Sequence, residues 1–144
     1  MKKLFISLSC LFLLAATCLA DVPNEKVLNN FKTTFSHAQR VKWIEHEDFF
    51  DVSFIQSGIR SNVRYNKTGD FLSCMRYYTE QQLPVNILCK LRSEHADKKI
   101  FGITEITTQE TINYFVKMYD AKRWYSIRVG AGGDMEIVEK YKKA

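Results

Sequence analysis

The apolar positions of this chain change their period along its length, and the change is made twice. Val27, Leu28, Phe31 and Phe35 fall at i, i+1, i+4 and i+8, the stripe of an amphipathic helix for which Pro23-Asn24-Glu25 supplies a start. After Ser36 the spacing gives way to short aromatic and β-branched runs over 41–45, 49–55, 59–65 and 71–78. The segments between them, His46-Glu47-Asp48, Gln56-Ser57-Gly58 and Asn66-Lys67-Thr68-Gly69-Asp70, are rich in turn formers, so four antiparallel strands follow the helix. The pattern then restarts. Leu83, Ile87, Leu88 and Leu91 give a second helical stripe over 80–95, with Pro84 placed in its first turn, and strands are predicted at 100–107, 112–119, 123–129 and 135–141.

The two passages are copies of one unit. Val27, Leu28 and Phe31 recur 60 positions later as Ile87, Leu88 and Leu91. Val52, Phe54, Val63, Gly69, Asp70 and Tyr77 recur 64 later as Val116, Met118, Ile127, Gly133, Asp134 and Tyr141. The change of offset puts about four extra residues around 107–111, where a hairpin loop is expected to absorb them.

Alternation within the strands assigns faces. Ile59, Val63 and Tyr65 alternate with Arg60, Asn62 and Arg64, as Tyr125, Ile127 and Val129 alternate with Trp124, Ser126 and Arg128. The apolar set should pack on the helix of its own copy. The other set should form an open face lined by Arg60, Arg64, Arg76, Tyr78, Trp124 and Arg128. Tyr, Trp and Arg on an uncovered sheet match the composition of protein-binding hot spots, against the plainer reading of a solvated face with snorkelling arginines. The remaining rings, including Phe31, Phe50, Phe54, Tyr114 and Tyr125, fall on inner faces as core. Register in the first strand of the second copy is open, because Ile100, Ile103 and Ile106 do not alternate.

The first twenty residues stand apart. Met1-Lys2-Lys3 is a basic start, 4–16 is almost wholly apolar, and Cys18-Leu19-Ala20 ends in a small residue, the layout of a secretory signal peptide over 1–20 with cleavage after Ala20. A rival lipoprotein reading makes Cys18 the acylated first residue, although Thr17 stands where such signals carry Gly, Ala or Ser. No segment reaches the roughly 20 apolar residues of a membrane-spanning helix, so no transmembrane segment is expected. Removal of Lys2 and Lys3 lowers the formal net charge from +5 to +3, with both signs interspersed, which disfavours nucleic-acid binding. The expected location is the periplasm or the exterior, and one domain over 21–144 holds two repeats, about 24–79 and 80–143.

Catalytic chemistry is thin. His37, His46 and His95 are scattered without metal-ligand spacing, so neither a metal nor a cofactor is expected. Gly130-Ala131-Gly132-Gly133 corresponds to the plain turn of the first copy and reads as a hairpin rather than a phosphate cradle. Cys74 with His95 could make a thiolate dyad, but a single Cys on a strand is more often packing. Cys74 and Cys89, whose repeat positions are Val138 and Asn29, are not predicted to pair.

The motifs Val41-Lys42-Trp43, Arg76-Tyr77-Tyr78, Gln82-Leu83-Pro84, Lys98-Lys99-Ile100-Phe101-Gly102 and Trp124-Tyr125-Ser126-Ile127, with the lysine-rich end, resemble the PepSY-like family of small secreted bacterial proteins. That family is similar to the β-lactamase-inhibitor protein, and the resemblance covers about 24–143. It implies an α+β fold, a tandem repeat of a helix plus a four-stranded antiparallel sheet, and an inhibitory role by name. The inhibitor's paired disulfides have no counterpart here. The expected function is an exported non-catalytic binding or inhibitory module, not an enzyme, that presents the open sheet face to an unknown protein partner. The alternative is a periplasmic carrier of a small molecule or envelope component in a cleft between the repeats.

Overall fold

A computed structural model describes residues 23–144, and the leader predicted over 1–20 lies outside the described residues. The chain runs α1 (Glu25–Thr34), β1 (Gln39–Glu45), β2 (Phe49–Gln56), β3 (Ile59–Asn66), β4 (Phe71–Tyr78), then α2 (Val85–Glu94), β5 (Lys99–Thr108), β6 (Ile112–Tyr119), β7 (Arg123–Gly130) and β8 (Met135–Lys142). All eight strands pair antiparallel in chain order as one sheet. The predicted α+β repeat, a helix and four antiparallel strands given twice, is the architecture observed. The β4–β5 ladder fuses the two copies into one continuous surface.

Each helix covers its own copy. Val27 and Phe31 of α1 pack with Phe50, Val52, Phe54, Val63, Tyr65 and Cys74. Ile87 and Leu91 of α2 pack with Ile103, Val116, Met118, Ile127 and Val129. Val63 and Ile127 are both wholly buried, at equivalent places in the two cores. Cys74 and Tyr78, which belong to these cores, face Thr107 and Ile103 across the seam, so both helices lie on one side of the sheet.

The repeat extends to the turns. Gly69 and Gly133 both take positive φ, 89° and 84°, a conformation costly for any residue with a Cβ. The carbonyl of Gly69 accepts from the Asn30 side chain of α1 at 2.7 Å. The Gly133 carbonyl accepts from Lys90, the residue that holds the same place on α2. Asn24 caps α1 by accepting from the Val27 amide at 3.0 Å and donates to the Lys67 carbonyl at 2.8 Å, tying the helix start to the same turn.

Three local expectations are corrected. The extra residues of the second copy do not swell a loop: they lengthen the β5–β6 hairpin by two rungs beyond Glu105 and Tyr114, namely Ile106 with Asn113 and Thr107 with Ile112. Pro84 does not sit inside α2 but precedes it with ψ 135°, an extended conformation, while 80–82 forms a separate 3-10 turn in which the Thr79 amide donates to Gln82 Oε1 at 3.2 Å. The erratic spacing of Ile100, Ile103 and Ile106 has its cause in a bulge between Ile100 and Gly102, mirrored in the first copy between Gln39 and Lys42. Past the bulge, Ile103 faces α2 and Ile106 faces away.

Candidate functional site

The ladders settle which side chains share the uncovered face. Arg60 pairs with Tyr77 and Arg64 with Asp51, and Trp124 stands between Tyr119 and Tyr141 while Arg128 stands between Phe115 and Glu136. These four predicted residues, Arg60, Arg64, Trp124 and Arg128, lie opposite the buried set of their strands. Arg76 and Tyr78 do not join them. Arg76 pairs with Ser61 and Glu105, Tyr78 pairs with Ile103, and Tyr78 is only 8% exposed on the helix side. The reason is a register shift where Arg64 and Tyr65 meet Ser73 and Phe71. Phe71 packs inward, and the next inward side chain is Cys74, three residues on instead of two. Counting by twos from Phe71 therefore inverts the rest of β4.

The open face is a field of rings with cations laid over them. The Arg60 guanidinium sits 5.1 Å from the Tyr77 ring, and Arg64 sits 3.9 Å from Phe49 while holding both oxygens of Asp51 at 2.9 and 3.1 Å. His46 stacks on Phe49 at 4.3 Å. Lys117 Nζ lies 4.3 Å from Tyr141, and Arg128 reaches Glu136 at 2.6 Å. At one corner Tyr119 and Phe101 flank Trp124 with centroids at 5.1 and 5.2 Å, and Lys143 Nζ lies 4.1 Å from Tyr119 and 5.3 Å from Trp124. Tyr77, Phe101, Phe115, Tyr119, Tyr141 and Lys143 were not among the expected residues. Tyr77 and Tyr141 carried a usable signal, since they recur at the 64-residue offset beside Arg60 and Trp124.

On the helix side the seam is closed by a polar network. Tyr78 donates to Glu105 Oε2 at 2.5 Å, Arg76 Nη1 lies 3.2 Å from Oε1, and Thr107 adds a longer contact at 3.5 Å. Burial, followed by the hydrogen bond to Glu105, pushes the Tyr78 phenol far above the ordinary tyrosine range. Burial also pushes the Cys74 thiol up to about 11, which keeps it protonated at neutral pH and opposes a role as a thiolate nucleophile. Cys74 is buried, Cys89 is exposed, and both are free. Among the described residues no group of three or more His, Cys, Asp and Glu side chains converges in a way that could hold a metal ion.

A carrier needs an enclosed hollow. An open depression of 250 Å³ beside the seam is lined by Phe35, Phe54, Gln56, Ser57, Ile59, Ser61 and Arg76, all from the first copy. Another of 560 Å³ lies at the extended hairpin, between 107–113 and the β7–β8 turn, wholly within the second copy. Neither lies between the repeats. No described helix is long and apolar enough to cross a membrane.

No protein-family model matches the chain, and no curated protein matches it. Solved structures do. A BLIP-like protein from Bacteroides fragilis superposes with a TM-score of 0.64 at 13% identity, over 84% of this chain and 86% of that one. A DUF2874 family protein from Bacteroides ovatus gives 0.64 at 16% identity, over 85% and 89%. A structure from Bacteroides eggerthii, named as a candidate periplasmic protein, gives 0.62 at 13% identity, over 84% and 89%. The chain thus has the fold that its resemblance to PepSY-like and β-lactamase-inhibitor-like proteins implies.

Proposed function

We propose that this chain is an exported, non-catalytic binding or inhibitory module that presents the open face of its sheet to a protein partner. The observation that carries the reading is the set of rings on that face in the second copy, where Phe101, Tyr119, Trp124 and Tyr141 stand together with no helix of the described residues over them. Leaving such surface in water has a cost, and clustered Tyr, Trp and Arg on a flat surface is the composition that anchors protein interfaces. Arg60, Arg64, Trp124 and Arg128 belong to the proposed surface, and Arg76 and Tyr78 leave it for the seam. The fold shared with a BLIP-like protein supports a binding role without catalysis. The basic, apolar leader and the likeness to a candidate periplasmic protein support export.

The test is capture from a bacterial envelope extract with three immobilised proteins: the parent, Trp124→Ala on the open face, and Cys89→Ser on the exposed side of α2. A protein held by the parent and by Cys89→Ser, and bound by Trp124→Ala more weakly by about 2 kcal/mol or more, supports the reading. Equal retention by all three rejects it. Mass spectrometry of the chain purified from that envelope checks export, since an intact Met1 refutes cleavage and an acylated Cys18 selects the lipoprotein form.

A further inference from the structure

We infer that the aromatic corner of the open face is a site for an aliphatic ammonium group, the lysine side chain of a protein partner, and that in the free protein this chain's own Lys143 fills it. The corner is assembled from three strands. Trp124 of β7 is paired with Tyr119 of β6, and Phe101 of β5 meets the Trp124 ring edge-on at 88°, so the indole is held between two rings. Lys143 Nζ lies within 6 Å of both Tyr119 and Trp124, the range in which a ring face attracts a cation.

The way the tail is held argues for a placeholder. The Lys143 amide donates to the Lys122 carbonyl at 2.9 Å, which carries the tail across the end of the β6–β7 hairpin. Its side chain is half-buried, whereas Tyr141, Lys142 and Ala144 around it are exposed. Arg64, Lys117 and Arg128 on the same face each have a carboxylate within 4.0 Å, but among the described residues none lies that close to Lys143. Among the described residues its ammonium thus rests on rings without a carboxylate beside it, as the Arg60 guanidinium rests on Tyr77. A cation that keeps contact with water while on a ring gains only about two- to fivefold in occupancy, so a ligand of the same chemistry that brings further contacts displaces it readily. Aromatic walls exclude an anion by the same quadrupole that favours the cation.

This rests on the reading of the open face as a binding surface, and the experiment is chosen to fail separately from it, because the probe is a blocked Gly-Lys-Gly tripeptide and needs no natural partner. In the full chain, NMR should find the Lys143 ε-methylene protons shifted upfield by the rings. Because it lacks further contacts and competes with a tethered lysine, the tripeptide in large excess should return them toward ordinary values and move the Trp124 indole signal, while the norleucine analogue at the same concentration should do neither. Lys143→Met should raise the tripeptide's affinity about two- to fivefold. An indole signal that ignores the tripeptide in Lys143→Met, or equal binding of the norleucine analogue, overturns the site. Displacement of Lys143 by phosphocholine but not by the tripeptide overturns the assignment to a protein lysine. Trp124→Ala capture unchanged beside a positive tripeptide result would instead reject the partner reading and leave the cation site standing.

Discussion

The two copies share one backbone plan and place their Phe and Trp side chains differently. In the first, Phe31, Phe50, Phe54 and Tyr65 are buried, and Phe35, Trp43 and Phe71 close around them. In the second, the equivalent interior is built from Ile87, Leu91, Ile103, Val116, Met118, Ile127 and Val129, with tyrosine the only ring among its buried members. Its Phe and Trp stand outside, with Phe101 68% exposed and Trp124 on the open face. A branched aliphatic core fills the volume under a helix as well as a ring does, so nothing in packing requires the second copy to display its aromatics. The first copy puts most of its Phe and Trp rings into its core, whereas the second buries only tyrosines and keeps Phe101, Phe115 and Trp124 off its core. The same divergence marks a single acidic position, since exposed Glu45 meets Lys67 whereas its counterpart Glu105 is buried at the seam under Arg76 and Tyr78.

The largest effect should come from breaking the interior that uses rings. Phe31 is 4% exposed and touches Phe35, Trp43 and Phe54 at 5.1 to 5.4 Å, so Phe31→Ala should cost about 3 to 5 kcal/mol in urea unfolding. Trp124→Ala should cost about 1 kcal/mol, the scale of its ring pairs alone. Equal costs would mean that Trp124 is structural in the same sense as Phe31, and the contrast between the copies would collapse.

The paired glutamates sharpen the comparison at a smaller scale. Tyr78→Phe removes a hydrogen bond to a buried carboxylate and should destabilise by about 1.5 to 3 kcal/mol. Glu45→Gln, at the exposed equivalent of Glu105, should change stability by less than about 1 kcal/mol. Urea midpoints of the two variants read this directly, and a Glu45 effect as large as that of Tyr78 would remove the distinction.

Alkaline titration reads what the two cores share, a buried phenol in each. Burial pushes Tyr65 up to about 12 from an ordinary 10.0, so above that ordinary value the unfolded chain gives up a proton that the folded chain keeps. The stability is fully present below pH 10 and is lost as pH rises toward 12. Tyr78, raised by burial and by Glu105, adds a loss in the same direction. Tyr65→Phe should flatten the fall of the urea midpoint in that window and leave the neutral range unchanged. An unaltered slope would show that Tyr65 does not contribute.

Much of this was legible in the sequence, because helical and strand periods encode burial directly. Val63 and Ile127 announced their core positions through alternation and through the 64-residue offset alike. What escaped was set by irregular pairing. The β3–β4 register shift turned Arg76 and Tyr78 to the helix side and Tyr77 to the open side, and a bulge has no composition that marks it in β4, where Phe71, Leu72, Met75, Tyr77 and Tyr78 offer apolar atoms to both faces. The aromatic corner was hidden for another reason. Phe101, Tyr119, Trp124 and Lys143 come from separate strands and from the tail, and only the ladder order brings them together. The likeness to the PepSY-like family predicted the scaffold and was silent on this corner, since a fold does not carry its sites with it.

The smallest effect is the most discriminating. Phe101 is exposed and meets Trp124 edge-on, so the interior gains little from it and Phe101→Ala should move stability by no more than about 0.5 kcal/mol. If the ring serves only to limit the motion of Trp124, the variant should loosen the indole without unfolding anything. Its trace would be a smaller upfield shift of Lys143 in NMR, at an unchanged urea midpoint. The equivalent first-copy position is Val41, exposed but carrying no ring, so Val41→Ala provides the matched control and should alter neither reading. A loss of about 2 kcal/mol of unfolding free energy on removing Phe101 would place that ring in the fold's own stabilisation. The second copy would then be spending its aromatics as the first does.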